Sequence, residues 1–229
     1  MHSWREQFKD SSASTFLFLL LLADCAFISL HVILLIILSL NIRMFSLSAD
    51  HGWPEFFQYT KELWIIALLL LVCIKARTVG FAVWAILFIY LFLDDSFLLH
   101  ERYGNYIARS LKFSSFAGLR PQDYGELIIS GIVAASFLIL LSLFYIRGSD
   151  AFRCATRHLL SLLVALAFFG IFVDMLHVAL YANRNIEYLL LVVEDGGEMV
   201  VMSFITWYVF LLNVRAGVAY PSERHQSLS

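Results

Sequence analysis

EYLLLVVEDGGEMVVMSFITWYVFLLNV, residues Glu187–Val214, is the stretch on which the reading of this chain turns. It is long and apolar enough to cross a bilayer, for which about 17–25 predominantly apolar residues suffice. Yet Glu194, Asp195 and Glu198 stand inside it. An ionised side chain in hydrocarbon costs several kcal/mol or recruits a partner, so such residues face a bundle interior or a water-filled cavity. One segment therefore predicts both a membrane span and a polar site built into it.

The rest of the chain agrees. Of 229 residues, 61% are hydrophobic and only 15% charged, and the mean hydropathy is +0.80. A soluble domain is about half apolar and a quarter charged. Five further apolar runs precede the last: Thr15–Leu40, Glu62–Ile74, Val79–His100, Glu126–Ile146 and His158–Ala182. The second is short and is expected to begin near Glu55, with Trp53, Phe56, Phe57 and Tyr59 as an interfacial aromatic belt and Pro54 in its first turn. The first exceeds the h-region of about 7–15 residues of a signal peptide and carries Asp24 and His31, so it is read as a retained helix. The expected fold is all-α, a polytopic bundle of six transmembrane helices. Residues 1–14 form a cytoplasmic segment, 15–214 a single membrane domain and 215–229 a cytoplasmic tail.

Orientation follows from Lys and Arg in the short loops. KAR (75–77) and RGSDAFRCATR (147–157) place both termini inside, although basic residues divide only nine inside to seven outside. The acids divide more sharply, with thirteen of eighteen in outer loops or outer halves of helices. Acids contribute little to topology, so this asymmetry speaks to where the chemistry sits.

A helix rises about 1.5 Å per residue. On that count Asp94, Asp95, Asp174, His177, Glu194, Asp195, Glu198 and His31 all fall roughly 7–17 Å below the outer surface. Asp174 and His177 are i,i+3, while Glu194 and Glu198, like Ser96 and His100, are i,i+4, so each pair shares a helix face. Gly196-Gly197 allows close helix approach or a local unwinding. One cluster open to the outer side is expected, with His100, Asp174, His177 and Glu198 as leading metal ligands, then Asp95, Glu194, Asp195 and His31. Carboxylates and imidazoles suit a divalent ion such as zinc, iron or manganese. With an open position, that ion would activate water for hydrolysis of a lipid. The same groups suit proton or ion handling, because close carboxylates do not all stay ionised. A third reading is a structural network neutralised by Arg102 and Arg184. Asp24 reads as a hydrogen-bonded packing residue, and Glu55, Gln58, Glu62, Gln122, Asp123 and Glu126 as residues opening the second and fourth helices.

Several functions are excluded or unsupported. There is no HExxH helix, GxSxG elbow, P-loop or GxGxxG. The basic loops are too sparse for nucleic acid and match lipid headgroups instead, leaving membrane lipids as the expected partner. Cys25, Cys73 and Cys154 have no paired or metal-type spacing.

The stretches PEFFQYTKE (54–62), FLDDSFLLHE (92–101), GLRPQDYGEL (118–127), FFGIFVDMLH (168–177) and EDGGEMVVMSF (194–204) resemble an uncharacterised family of bacterial multi-pass membrane proteins. That resemblance implies a bacterial inner membrane and imports no activity. Ser96-x-x-x-His100 is more faintly similar to the first motif of the alkaline ceramidase and adiponectin-receptor superfamily of intramembrane zinc hydrolases. It would give Asp174, His177 and His31 the remaining metal roles. The closing His-x-x-x-His pair of that superfamily is missing here, and six helices are expected rather than seven.

Overall fold

The computed structural model describes residues 10–38, 40, 42–116, 118–179 and 184–219, without the side chains of 35, 36, 184, 185 and 217–219. Among these residues the chain is helical, its one β-bridge joining Phe116 to Leu119. The helices are α1 (Ser11–His31), α2 (Trp53–Ala76), α3 (Gly80–Phe97), α4 (Leu99–Leu111), α5 (Pro121–Arg147), α6 (Asp150–Ala167), α7 (Asp174–Ala179) and α8 (Arg184–Ala219). Six segments are long and apolar enough to cross a membrane: Ser11–Leu34, Trp53–Ala76, Gly80–Phe97, Pro121–Arg147, Asp150–Ala179 and Ile186–Ala216. The chain is a multi-pass, all-α membrane bundle.

Local chemistry sets the boundaries. Asp10 caps α1 by accepting from the Ala13 amide at 3.0 Å. Pro54 sits in the first turn of α2, where a missing N–H costs nothing. The α2–α3 turn closes through Arg77 in the left-handed region, and Ser149 caps α6 through the Phe152 amide. α6 runs through a π-helical turn, Phe168–Val173, into α7, so Asp150–Ala179 forms one span. π-Turns inside helices are frequent at functional sites, and this one ends where Asp174 begins.

α8 is the central post, packed against α1, α2 and α6. Within its most apolar window 61% of residues are buried, against 11% for α5, which faces outward. Two glycines matter most for its placement. A methyl at Gly197 would collide with the Phe169 ring, and one at Gly170 with the Glu198 carboxylate. α8 is continuous through Gly196-Gly197, so these residues serve close approach, not unwinding. Below the acids the core is apolar, with Ile65, Leu69, Trp84, Phe88, Leu159, Trp207 and Leu211 essentially unexposed.

The third expected helix does not continue to His100. Leu98, at φ 53°, breaks it, and α4 begins as a separate amphipathic helix lying against α5. Asp94 causes the break to hold: its Oδ1 accepts from the His100 amide at 2.7 Å, satisfying a free donor at the start of α4. The Ser96/His100 alignment on one helix face is thereby lost. At the α4–α5 crossing, a Cβ on Gly104 or Gly125 would run into the facing backbone.

Candidate functional site

Four of the acids expected in one cluster lie within electrostatic reach of a fifth, Glu198. Glu198 lies in the field of Asp195, Asp95, Glu194 and Asp174. Asp195 faces Glu194, His177 and Asp174, and Glu194 faces Asp174. His177 Nδ1 is 2.7 Å from Glu194 Oε2, joining α7 to α8. Asp174 in turn faces Glu126, Asp123 and Arg120 at the start of α5. The result is a ladder of carboxylates running into the bundle from the end at which α2 and α5 begin.

Two expected members stand apart. His31 is buried, but its Nδ1 accepts from the Leu47 amide at 3.1 Å and so anchors the loop leading to α2. His100 pairs with Asp94, Nδ1 to Oδ2 at 3.0 Å. That hydrogen bond pushes the imidazole pKa up to about 9 against the effect of burial, so the ring is cationic at neutral pH. A metal ligand must be a neutral imidazole, so a metal ion at His100 would have to displace this proton. Among the described residues, no three His, Cys, Asp or Glu side chains form a group that could hold a metal ion. Arg102, weighed as a counter-charge, is exposed; the Arg184 side chain, His2 and His225 lie outside the described residues.

The rim is built from local pairs. Asp123 is fully buried and accepts from the Arg120 amide at 2.6 Å and from its guanidinium at 2.8 and 3.0 Å. That bonding holds the Arg120 guanidinium even more firmly protonated. Burial pushes the Glu101 carboxyl up, opposed by His100. Glu55, in the first turn of α2, accepts from the His51 amide and from the Tyr59 hydroxyl. The dipole-based account of Glu55 and Asp123 fits these positions.

The innermost part of the site is where the sequence reading falls short. Lys61 and Asp24 are both without exposed surface, and Lys61 Nζ donates to Asp24 Oδ1 at 3.1 Å. Nζ also donates to the Met199 carbonyl at 2.8 Å and to Ser203 Oγ at 3.3 Å, while Ser203 donates to Asp24 Oδ2 at 2.6 Å. The ammonium lies 4.7 Å from the Phe57 ring centroid. α1, α2 and α8 are thus joined by an ion pair about 12 Å below the start of α2 by rise per residue. Glu62, the next residue, is also fully buried. It faces Asp95 and Glu198 on one side and Lys61 on the other, linking the ladder to the ion pair.

Lys61, one of the seven basic residues that the sequence assigns to the outer side, and Glu62, which it reads as a helix-opening acid, both lie buried inside the span instead. The signal for both was available: once α2 starts at Trp53, residues 61 and 62 lie two turns inside a span, where neither is an interfacial residue.

The fold is that of a multi-pass membrane protein with acids buried among its helices. Residues 15–214 match the family described as Domain of unknown function (DUF8692), and the chain belongs to that family. No curated protein and no solved structure matches it.

Proposed function

We propose that this is a bacterial inner-membrane protein, with both termini in the cytoplasm, that takes up protons or small cations from the periplasmic side. The observation that carries the reading is a charge imbalance. Asp24, Glu62, Asp95, Asp174, Glu194, Asp195 and Glu198 form one connected array, and its close counter-charges are Lys61, His100 and Arg120, joined by His177 only when that ring is protonated. A low-dielectric interior does not hold such a set fully ionised, so the surplus must be balanced by protons or bound cations. Intramembrane carboxylates in series are the recurrent material of proton relays.

The apolar inner half of the bundle makes access one-sided at rest. Below Ser203 the polar groups are sparse: Thr206 and Thr156, then Tyr208, whose hydroxyl is 3.1 Å from His158 Nδ1. Proteoliposomes enclosing a pH-sensitive dye test the proposal. An imposed membrane potential should drive proton entry through wild-type protein, and Asp174→Asn should abolish it. Vesicles that stay tight with wild-type protein overturn flux as the function.

A second reading has one contact in its favour. Asp174, His177 and Glu194 adjoin one another, with 2.7 Å between the last two, and a modest rearrangement would let them hold a divalent ion able to activate water against a lipid. Elemental analysis of the same detergent preparation distinguishes the two: stoichiometric zinc, iron or manganese that His177→Ala loses would favour the metal.

A further inference from the structure

Glu62 is the acid with the fewest ways to stay charged. Its side chain has no exposed surface, and neither carboxylate oxygen meets a hydrogen-bond donor among the protein groups. The charges facing it come from three helices. On α3 stands Asp95, on α8 Glu198, and on its own helix Lys61. The single cation among them is already engaged, since Lys61 donates to Asp24 of α1, to the Met199 carbonyl and to Ser203. Lys61 and Asp24 cancel each other and leave Glu62 with no counter-ion of its own.

The polar groups around Glu62 are also short of donors. Gln58, one turn earlier on the same face of α2, has a buried Oε1 with no partner. A buried acceptor without a donor costs roughly 1–3 kcal/mol, and more when it is charged. One proton on Glu62 removes the charge and supplies a donor at the same time.

We propose that Glu62 is a proton-binding site at the inner end of the carboxylate ladder, carrying a neutral carboxyl beside the intact Lys61–Asp24 ion pair. The inference rests on the proton-handling reading and gives it a terminus. Protons entering past Asp174 and Glu194 reach Glu62 through Asp95 and Glu198, the two acids that face it. Neutral Glu62 lets Lys61 remain with Asp24. An ionised Glu62 would compete with Asp24 for the same ammonium, so the proton decides which acid the cation serves.

Infrared spectroscopy of the full-length protein in mild detergent tests this without any flux measurement. The spectrum of wild type minus Glu62→Gln at neutral pH should contain one protonated-carboxyl carbonyl band that moves to lower frequency in heavy water. Glu62→Asp, which keeps an acid in place, should shift that band and not delete it, and provides the readout if the glutamine variant fails to fold. Loss of ionised-carboxylate bands in place of the carbonyl band overturns the proposal. The two readings fail separately: the band with tight vesicles keeps the site and removes transport, whereas flux without the band moves the proton elsewhere.

Discussion

Lys61 and Asp24 bear opposite full charges, 3.1 Å apart, with no exposed surface on either. Desolvating two ions is expensive, and their attraction compensates only because Ser203 and the Met199 carbonyl take up the remaining donors and acceptors. Removing one partner leaves an uncompensated charge, whereas removing both does not. Lys61→Met should therefore destabilise the folded protein by about 3–5 kcal/mol. Combining it with Asp24→Asn should recover most of that loss, because a neutral amide can still bond Ser203. Thermal unfolding of the three variants in detergent checks the pattern. A double variant as unstable as Lys61→Met alone would mean that lysine packing, not charge, holds α1 to α2 and α8. The sequence showed Asp24 as an isolated acid because its partner is 37 residues away on another helix. Pairing across helices leaves no local spacing to read.

At the scale of elements, what the sequence revealed and what it concealed divide by range. Hydropathy over some twenty residues marks each span, and i,i+3 or i,i+4 spacing marks a shared face, so the spans and the Asp174/His177 and Glu194/Glu198 pairings were legible. The break at Leu98 was not, since no glycine or proline announces it. It is held by a side chain, Asp94, which bonds both the amide and the ring of His100 and so pins α4 across the end of α3. This junction should be sensitive to pH in one direction. The folded His100 pKa of about 9 lies above the ordinary 6.5, so folding is favoured by the proton. That contribution is complete below about pH 6.5 and is lost as pH rises through about 9. The melting temperature of wild type should fall across this window, and the fall should be smaller in His100→Gln. Equal slopes in the two proteins would show that the Asp94–His100 contact does not govern the end of α3.

For the whole molecule, the distribution of charge along the bundle axis ties topology to chemistry. Lys75, Arg77, Arg147, Arg153, Arg157 and Arg215 gather at the end where α2 meets α3 and α5 meets α6. Apart from Asp10, Asp24 and Asp150, the acids among the described residues gather toward the other end, around the starts of α2, α5 and α8. Lys and Arg near short loops are retained on the cytoplasmic side, so in the proposed bacterial inner membrane the carboxylate ladder would open to the periplasm. In energised bacteria that compartment is the more acidic, so under the proposed function a donor-poor array facing it would fill with protons from the side where they are abundant. Cysteine labelling in a cysteine-free background gives a direct check on this geometry. Ser114→Cys, in the exposed loop after α4, should react with a membrane-impermeant maleimide in intact spheroplasts. Asp150→Cys, whose native side chain is fully solvent-exposed at the α5–α6 turn, should react only after lysis. The opposite pattern would turn the ladder toward the cytoplasm, and Glu62 would then draw its proton from the cell interior.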